Sequence, residues 1–462
     1  MHQGRCALPA DETGRVLDRM AGLEQIIRHQ DIQQALATTG RVNSRRCVLT
    51  HEVTLWVVLA MGLFTDLPIR QVFKQARRLR HGEDSPHRSS LCVARQRLGI
   101  EPVRNLFDQV VRPLALPETP GAFYHGLRLM GIDGTVLDVP DSDVNSAAFG
   151  RPSAGPRGDG AFPQIRKLSL VELGTHVEVA LLAASCRCGE HTMFADLLPH
   201  LTPEMLLLLD RGFFSYEQWR KLTEREIKVL ARVSSRLILR PVRTLADGSY
   251  IAKIYKNDYN RQKDRDGIEV RVIRYTLDDP QRVGHGEEHV LITNLFDEAV
   301  HPAEELIILY HERWEHELVF DEQKTHHDPR RATKPAQLRS ETPTGVMQEV
   351  YALSLGHFII RSLMFEAATA AAIDPDRLSF SGCFQILKCR LPECNDKTPA
   401  NFEAWYRGVI WEIQQERTEP RRNRINPRVI KRKMSKWPKK RPKQRRIEPL
   451  KKPFAASVVM LR

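Results

Sequence analysis

The chain has 462 residues, with 70 Lys and Arg against 57 Asp and Glu, 17 His, and a formal charge of +13. With 42% hydrophobic and 27% charged residues it can bury a core, which excludes wholesale disorder, and roughly 150 residues per domain suggests about three domains. The longest apolar run, Leu55 to Phe64, is half of the ~20 residues a bilayer needs, so no membrane span is expected.

The charge is unevenly spread. Residues 421–462 hold 17 Lys/Arg and one acid, residues 41–112 hold 13 and 6, and residues 113–420 are left at about −9. An acidic body thus lies between two basic ends, and the bases point to a polyanion, most often nucleic acid. Met1-His2-Gln3-Gly4-Arg5 has none of the apolar character of a secretory signal. Eight cysteines are too sparse for a disulfide scaffold, so a reducing cytoplasm is expected. Cys186 and Cys188 are too close for a usual zinc knuckle, and Cys383, Cys389 and Cys394 are irregularly spaced, so all are read as structural.

Taken in chain order, residues 13–112 read as helical. Asp18 to His29 is amphipathic, Thr50 caps a helix from Val53 to Phe64, and Ile69 to Arg80 forms a helix rich in base through Lys74, Arg77, Arg78 and Arg80. A further helix covers Ser89 to Leu98, with Arg95 and Arg97. Short helices with exposed arginines suit a DNA-binding module, and equally a solvated helical surface. From about 125 strands take over: Leu127 to Val139, Leu168 to Leu173, Val177 to Ala184, and, after a helix from Thr192, the run Met205 to Leu209. A helix from Tyr216 to Leu222 and a strand from Ile227 to Val233 complete an α/β core with a mixed sheet. Residues 235–300 alternate β-branched and polar residues and read as a small β insertion separate from that core. Helices follow from Pro302 to Thr325, Thr344 to Ala371 and Ala400 to Glu416, before a proline-containing basic tail expected to be extended or disordered.

Two acids interrupt apolar strands: Asp133 in Ile132-Asp133-Gly134-Thr135, and Asp210 after Leu206-Leu207-Leu208-Leu209. A carboxylate there is costly unless a partner or a divalent cation compensates it, although an Asp capping a turn is the plainer reading. The run Tyr310 to Lys324 carries more. As one helix it places Tyr310, Arg313, Glu317 and Lys324 within about 60° on one face, over roughly 21 Å of axis. One acid flanked by a phenol, a guanidinium and an ammonium is what a metal-assisted reaction at a phosphodiester needs. An exposed helix with an Arg313–Glu317 ion pair is the competing reading.

The spacing Y-x2-R-x3-E-x6-K resembles the signature of the insertion-sequence transposases of family four, a branch of the DDE transposases. Asp133, Asp210 and Glu317 are similar in order and context to that family's acidic triad. The likeness extends to Gly174-Thr175-His176, to Leu338-Arg339-Ser340-Glu341-Thr342-Pro343 and to the helical segment 25–80, and so to nearly the whole chain.

What the resemblance implies is a ribonuclease-H-like mixed-sheet core with a β-strand insertion domain, a helical N-terminal domain and a basic C-terminal extension. The divisions expected are a helical DNA-binding domain (1–120), catalytic core in two parts (121–234 and 301–372) around the insertion (235–300), a helical region (373–420) and the tail (421–462). It implies two Mg²⁺ (or Mn²⁺) ions held by Asp133, Asp210 and Glu317, one activating water and later a DNA 3′-hydroxyl, the other stabilising the departing oxygen. Tyr310, Arg313 and Lys324 would hold the DNA strand near the cut. The partners implied are transposon ends and target DNA, with a homodimer in the paired-end complex and the bacterial nucleoid as its place.

One feature departs from the pattern. Hairpin-forming relatives use a tryptophan in the insertion to receive a flipped base, and residues 235–300 contain no Trp; Tyr250, Tyr255, Tyr259, Tyr275 and Phe296 are the aromatics there. Two rival readings share the acids: a structure-specific metal-dependent nuclease, and a DNA-binding protein with a decayed core. A zinc hydrolase is disfavoured because His311-Glu312 has no His at 315; His311, His316, His326 and His327 read as surface or DNA-facing.

Overall fold

The computed structural model describes residues 18–461 apart from 43–46, 78, 80, 82–83, 154, 156–157, 281, 283, 328–337, 395–398 and 420–451. Arg78, Arg80 and most of the basic tail therefore lie outside the described residues. Five helices come first: α1 (His29–Thr38), α2 (His51–Leu63), α3 (Ile69–Ala76), α4 (Arg88–Leu98) and α5 (Glu101–Val110). Then follow β1 (Phe123–Tyr124), β2 (Leu127–Asp138), α6 (Asp143–Phe149), β3 (Gln164–Glu172), β4 (Val177–Ser185) and α7 (Glu190–Leu197). Next are β5 (Met205–Leu209), α8 (Tyr216–Glu224), β6 (Lys228–Val233), β7 (Arg243–Thr244), β8 (Tyr250–Ile254), α9 (Asp258–Gln262), β9 (Ile268–Leu277) and β10 (His289–Thr293). The chain ends with α10 (Ala303–His311), α11 (Trp314–Asp321), α12 (Pro343–Ala370), α13 (Phe380–Arg390), α14 (Pro399–Gln415), α15 (Phe454–Ser457) and β11 (Val458–Met460).

The chain divides into two compact units. The first comprises Met1–Phe123, Met130–His200 and Glu315–Glu419. Here α1 to α5 share one apolar cluster with α12, α13 and α14, so the N-terminal helices pack on the helix that follows the signature segment. Thr50 caps α2 as expected, its Oγ1 accepting from Val53 N at 3.1 Å. The helix is apolar on every side because it is buried on every side. It crosses α12 so closely that a Cβ at Gly62 would lie 1.9 Å from the Ala352 carbonyl oxygen, so glycine is required there.

Two expectations for this region fail. Asp18 to His29 is not one helix: a 3₁₀ turn covers Asp18–Leu23, and α1 starts at His29 because Asp31 accepts from Arg28 N at 2.9 Å. Arg95 is not on an exposed face. It is buried, donating to Gln348 Oε1 at 3.0 Å, Ser340 Oγ at 3.0 Å and the Gly345 carbonyl at 2.9 Å, so it ties α4 to the start of α12. Arg339, in the Leu338–Pro343 motif, donates to the Met61 and Phe64 carbonyls at 3.2 and 3.3 Å and closes the C-terminus of α2. The sheet of this unit is an antiparallel meander, β2–β3–β4, with Asp133 opposite Ser169 and Lys167 opposite Ala183.

The second unit comprises Tyr124–Leu129, Leu201–Trp314 and Pro420–Arg462. β5, buried along its whole length, runs parallel to β6 through the crossover helix α8. From β6 the sheet continues antiparallel through β10, β9, β8 and β7. This corrects the separation of 235–300 from the core: β10 is buried throughout and pairs directly with β6, so the inserted strands extend that sheet. The C-terminus also departs from expectation. β11 pairs with β9, Val459 opposite Thr276, and Phe454 is buried against the His311 ring at a centroid distance of 4.3 Å. Among the described residues no helix is long and apolar enough to cross a membrane, and no cysteine is in a disulfide.

Candidate active site

Alternation along β2 puts Gly131, Asp133 and Thr135 on one face of the first unit's sheet. Both outer residues meet the signature segment. A Cβ at Gly131 would lie 3.0 Å from His316 Nδ1, and Lys324 Nζ donates to Thr135 Oγ1. The half-buried Asp133 therefore projects toward the stretch between His316 and Lys324, which carries Glu317. Its Oδ1 accepts from Gly134 N at 2.8 Å. The neighbouring strand repeats the contact: Lys167, fully buried, donates to Glu178 Oε2 at 2.9 Å, Gln323 Oε1 at 2.7 Å and Ser354 Oγ at 3.0 Å.

The signature segment is not one helix. α10 ends at His311, and Arg313 N donates to the Tyr310 carbonyl at 3.2 Å. α11 starts at Trp314 and passes at Glu322 into a π turn, closed by His327 N donating to the Glu322 carbonyl at 2.7 Å. The four residues thus do not share one continuous helix: Tyr310 lies in α10, Arg313 in the turn that follows, Glu317 in α11 and Lys324 in the π turn.

A buried charge network explains the π turn. Glu322 accepts from Arg361 Nε at 3.0 Å and from its Nη2, and pairs with His357 Nε2 at 2.8 Å and His176 Nδ1 at 3.3 Å. His176 Nε2 lies 2.8 Å from Glu315 and 3.5 Å from Asp376. Burial alone would raise the Glu322 carboxyl, but Arg361 and the two histidines hold it well below the ordinary range. Burial and Arg361 press the His176 imidazole down, yet Asp376, Glu315 and Glu322 outweigh them and lift it to about 9. With Glu322 and Gln323 both turned into the interior, Lys324 is left to face Thr135. His316 and His327 are fully buried, so they are not the surface or DNA-facing histidines expected; His326 is exposed.

In the second unit Asp210 stands where β5 ends, and its Oδ1 accepts from Arg211 N at 2.6 Å. Tyr310, 7% exposed, donates through its hydroxyl to the Leu209 carbonyl at 3.1 Å. Burial, with Asp210 nearby, pushes its phenol above the ordinary tyrosine value despite the opposing charge of Arg313. Arg313 occupies the turn between α10 and α11, its guanidinium 5.5 Å from the centre of the Trp314 ring.

Asp133, Asp210 and Glu317 are each only partly buried, and carboxylate oxygens suit a hard divalent cation. Another group, His176, Glu315 and Asp376, has ligand atoms within 4.8 Å of one another and could hold a metal. All three are buried, however, and a DNA phosphate cannot reach them. Sequence reasoning missed this network and the Lys167–Glu178 pair. The available signal was charge within apolar strands, as in Lys167-Leu168 and Val177-Glu178-Val179, but pairing across 139 residues has no local signature.

The protein is mixed α/β, with one acid within β2, a second directly after β5 and a third in α11. Two family models match it: "Insertion element 4 transposase N-terminal" over residues 18–108 and "Transposase DDE domain" over residues 125–342. The transposase InsG of insertion sequence element IS4, from Escherichia coli strain K12, is 27% identical over 447 residues, covering 95% of this chain and 98% of that protein. The putative transposase InsZ of the same strain is 27% identical over 187 residues; the match spans 40% of this chain and 61% of InsZ. A cryo-EM structure of a piggyBac transposase synaptic complex with hairpin DNA aligns with a TM-score of 0.43 and 11% identity over 88% of each chain. The chain belongs to the insertion-element-4 family of DDE transposases, enzymes that cleave and transfer DNA. A divalent metal goes with that family.

Proposed function

We propose that the protein binds the ends of its insertion sequence, cleaves the strands there and joins the 3′-hydroxyl ends to target DNA. The observation that carries this reading is the contact of Lys324 with Thr135, which sets the Asp-Gly-Thr strand against the signature segment across 189 residues of sequence. Asp133, Asp210 and Glu317 would hold Mg²⁺ or Mn²⁺, two ions in all, which activate the attacking oxygen and stabilise the leaving one. Lys324, half-buried beside Asp133, and Arg313, in the turn after α10, would take the neighbouring phosphates. Thr135 holds the Lys324 ammonium ready for that contact. We further propose a homodimer on paired ends, acting at the nucleoid of a bacterial cytoplasm.

The test uses purified protein, terminal-repeat duplex, a target plasmid and Mg²⁺. Asp133→Asn, Asp210→Asn and Glu317→Gln should each lower cleavage by about 10³-fold or more, several kcal/mol of transition-state stabilisation. Near wild-type cleavage by any of the three removes that residue from the site. Cleaved ends that never join the plasmid would make the protein a nuclease.

A further inference from the structure

The hydroxyl of Tyr310 is directed at the main chain beside a proposed metal ligand. It donates to the carbonyl of Leu209, the last residue of β5, and Asp210 follows. Leu209–Ala231 is the last pair of the parallel ladder with β6. The Leu209 carbonyl, the Asp210 nitrogen and the Asp210 Cα lie in one rigid peptide plane. A bond to that carbonyl fixes the tilt of the plane, and with it the origin of the Asp210 side chain. The carboxylate is in turn tied to its own turn through Arg211 N at 2.6 Å, so it follows the backbone.

We propose that Tyr310 is a positioning residue for Asp210: its hydroxyl fixes the Leu209–Asp210 peptide plane and so aims the carboxylate. This differs from the role the sequence suggested, and it rests on the reading of Asp210 as a metal ligand.

The experiment compares full-length wild type, Tyr310→Phe and Asp210→Asn. Tyr310→Phe keeps the ring and removes only the bond, a loss equivalent to about a five- to tenfold change in an equilibrium. The Mg²⁺ concentration giving half-maximal cleavage should rise by about that factor, and Mn²⁺ binding to the DNA-free protein, read by electron paramagnetic resonance, should weaken similarly. Affinity for terminal-repeat duplex in metal-free buffer should stay within about twofold of wild type. A tenfold loss of duplex affinity with an unchanged metal requirement would overturn the proposal, and so would no change in either. Nitration of the wild-type protein supplies a measurement that needs no variant: Tyr310 should be unreactive with and without DNA, and reactivity that DNA suppresses would contradict it. If Asp210→Asn cleaves normally, the reading of Asp210 fails; if Asp210→Asn is inactive and Tyr310→Phe matches wild type, only the positioning role fails.

Discussion

The two halves of the signature segment are held in place by different physics. In the half from Glu315 to His327, buried charges do the holding: Glu322 and Glu315 engage His176, His357 and Arg361, and Gln323 engages Lys167. In the half from Tyr310 to Trp314, the restraints include a neutral hydrogen bond to the Leu209 carbonyl, the His311 ring stacked on Phe454 and a guanidinium beside an indole. A charge network resists the loss of one partner strongly, because the remaining charges are left buried and uncompensated. A neutral bond to a carbonyl is worth about 1 kcal/mol and its loss is tolerated. Loss of a charged partner in the first half should therefore cost more than loss of the Tyr310 bond in the second.

That contrast can be broken experimentally. The largest effect on stability is expected from Glu322→Gln, which leaves Arg361 without its charge. It should cost about 3–5 kcal/mol in denaturant melts, against about 1 kcal/mol for Tyr310→Phe. Equal costs would erase the distinction between the halves.

A pH series sharpens the same point. The folded value for His176 is raised from 6.5 to about 9, so its contribution to stability is complete below pH 6.5 and is lost as pH rises through 9. Below 6.5 the trend reverses, since the buried His357 has a lowered value and resists protonation. The charged groups facing His176 are Glu315, Glu322, Asp376 and Arg361. Melting temperature should thus fall between pH 6.5 and 9 in the wild type and much less in His176→Gln. Parallel curves for the two proteins would remove His176 as the cause.

The smallest effect on stability is expected from Lys324→Ala, because Lys324 is only half-buried. Stability should change little, while affinity for end DNA falls about tenfold and the slope of log affinity against log salt drops by about 0.9. An unchanged salt slope would show that Lys324 contacts no phosphate.

Local pattern made much of the fold legible. The apolar run at Met205–Leu209, the Thr50 cap, the two hairpin strands around Gly174-Thr175 and the long α12 each express a rule of spacing or composition that operates within a few residues. The break at Glu312-Arg313 was not legible, because both residues favour helix and no Pro or Gly marks the site. The same holds for Arg95, whose sequence neighbours read as a solvated basic face although the side chain is buried against residues about 250 positions away.

What the sequence determined by itself was the inventory: an α/β chain, three acids in order, four signature residues at fixed spacing, and a net charge of +13 that combines two basic segments with an acidic middle. What only the tertiary structure decided was which of those residues face solvent and which face each other. Helix periodicity assumes a straight, solvated cylinder, but the signature segment is held by contacts with β3, β4 and α12. Burying a charge is tolerable only where its partners are already assembled, and those partners come from across the fold.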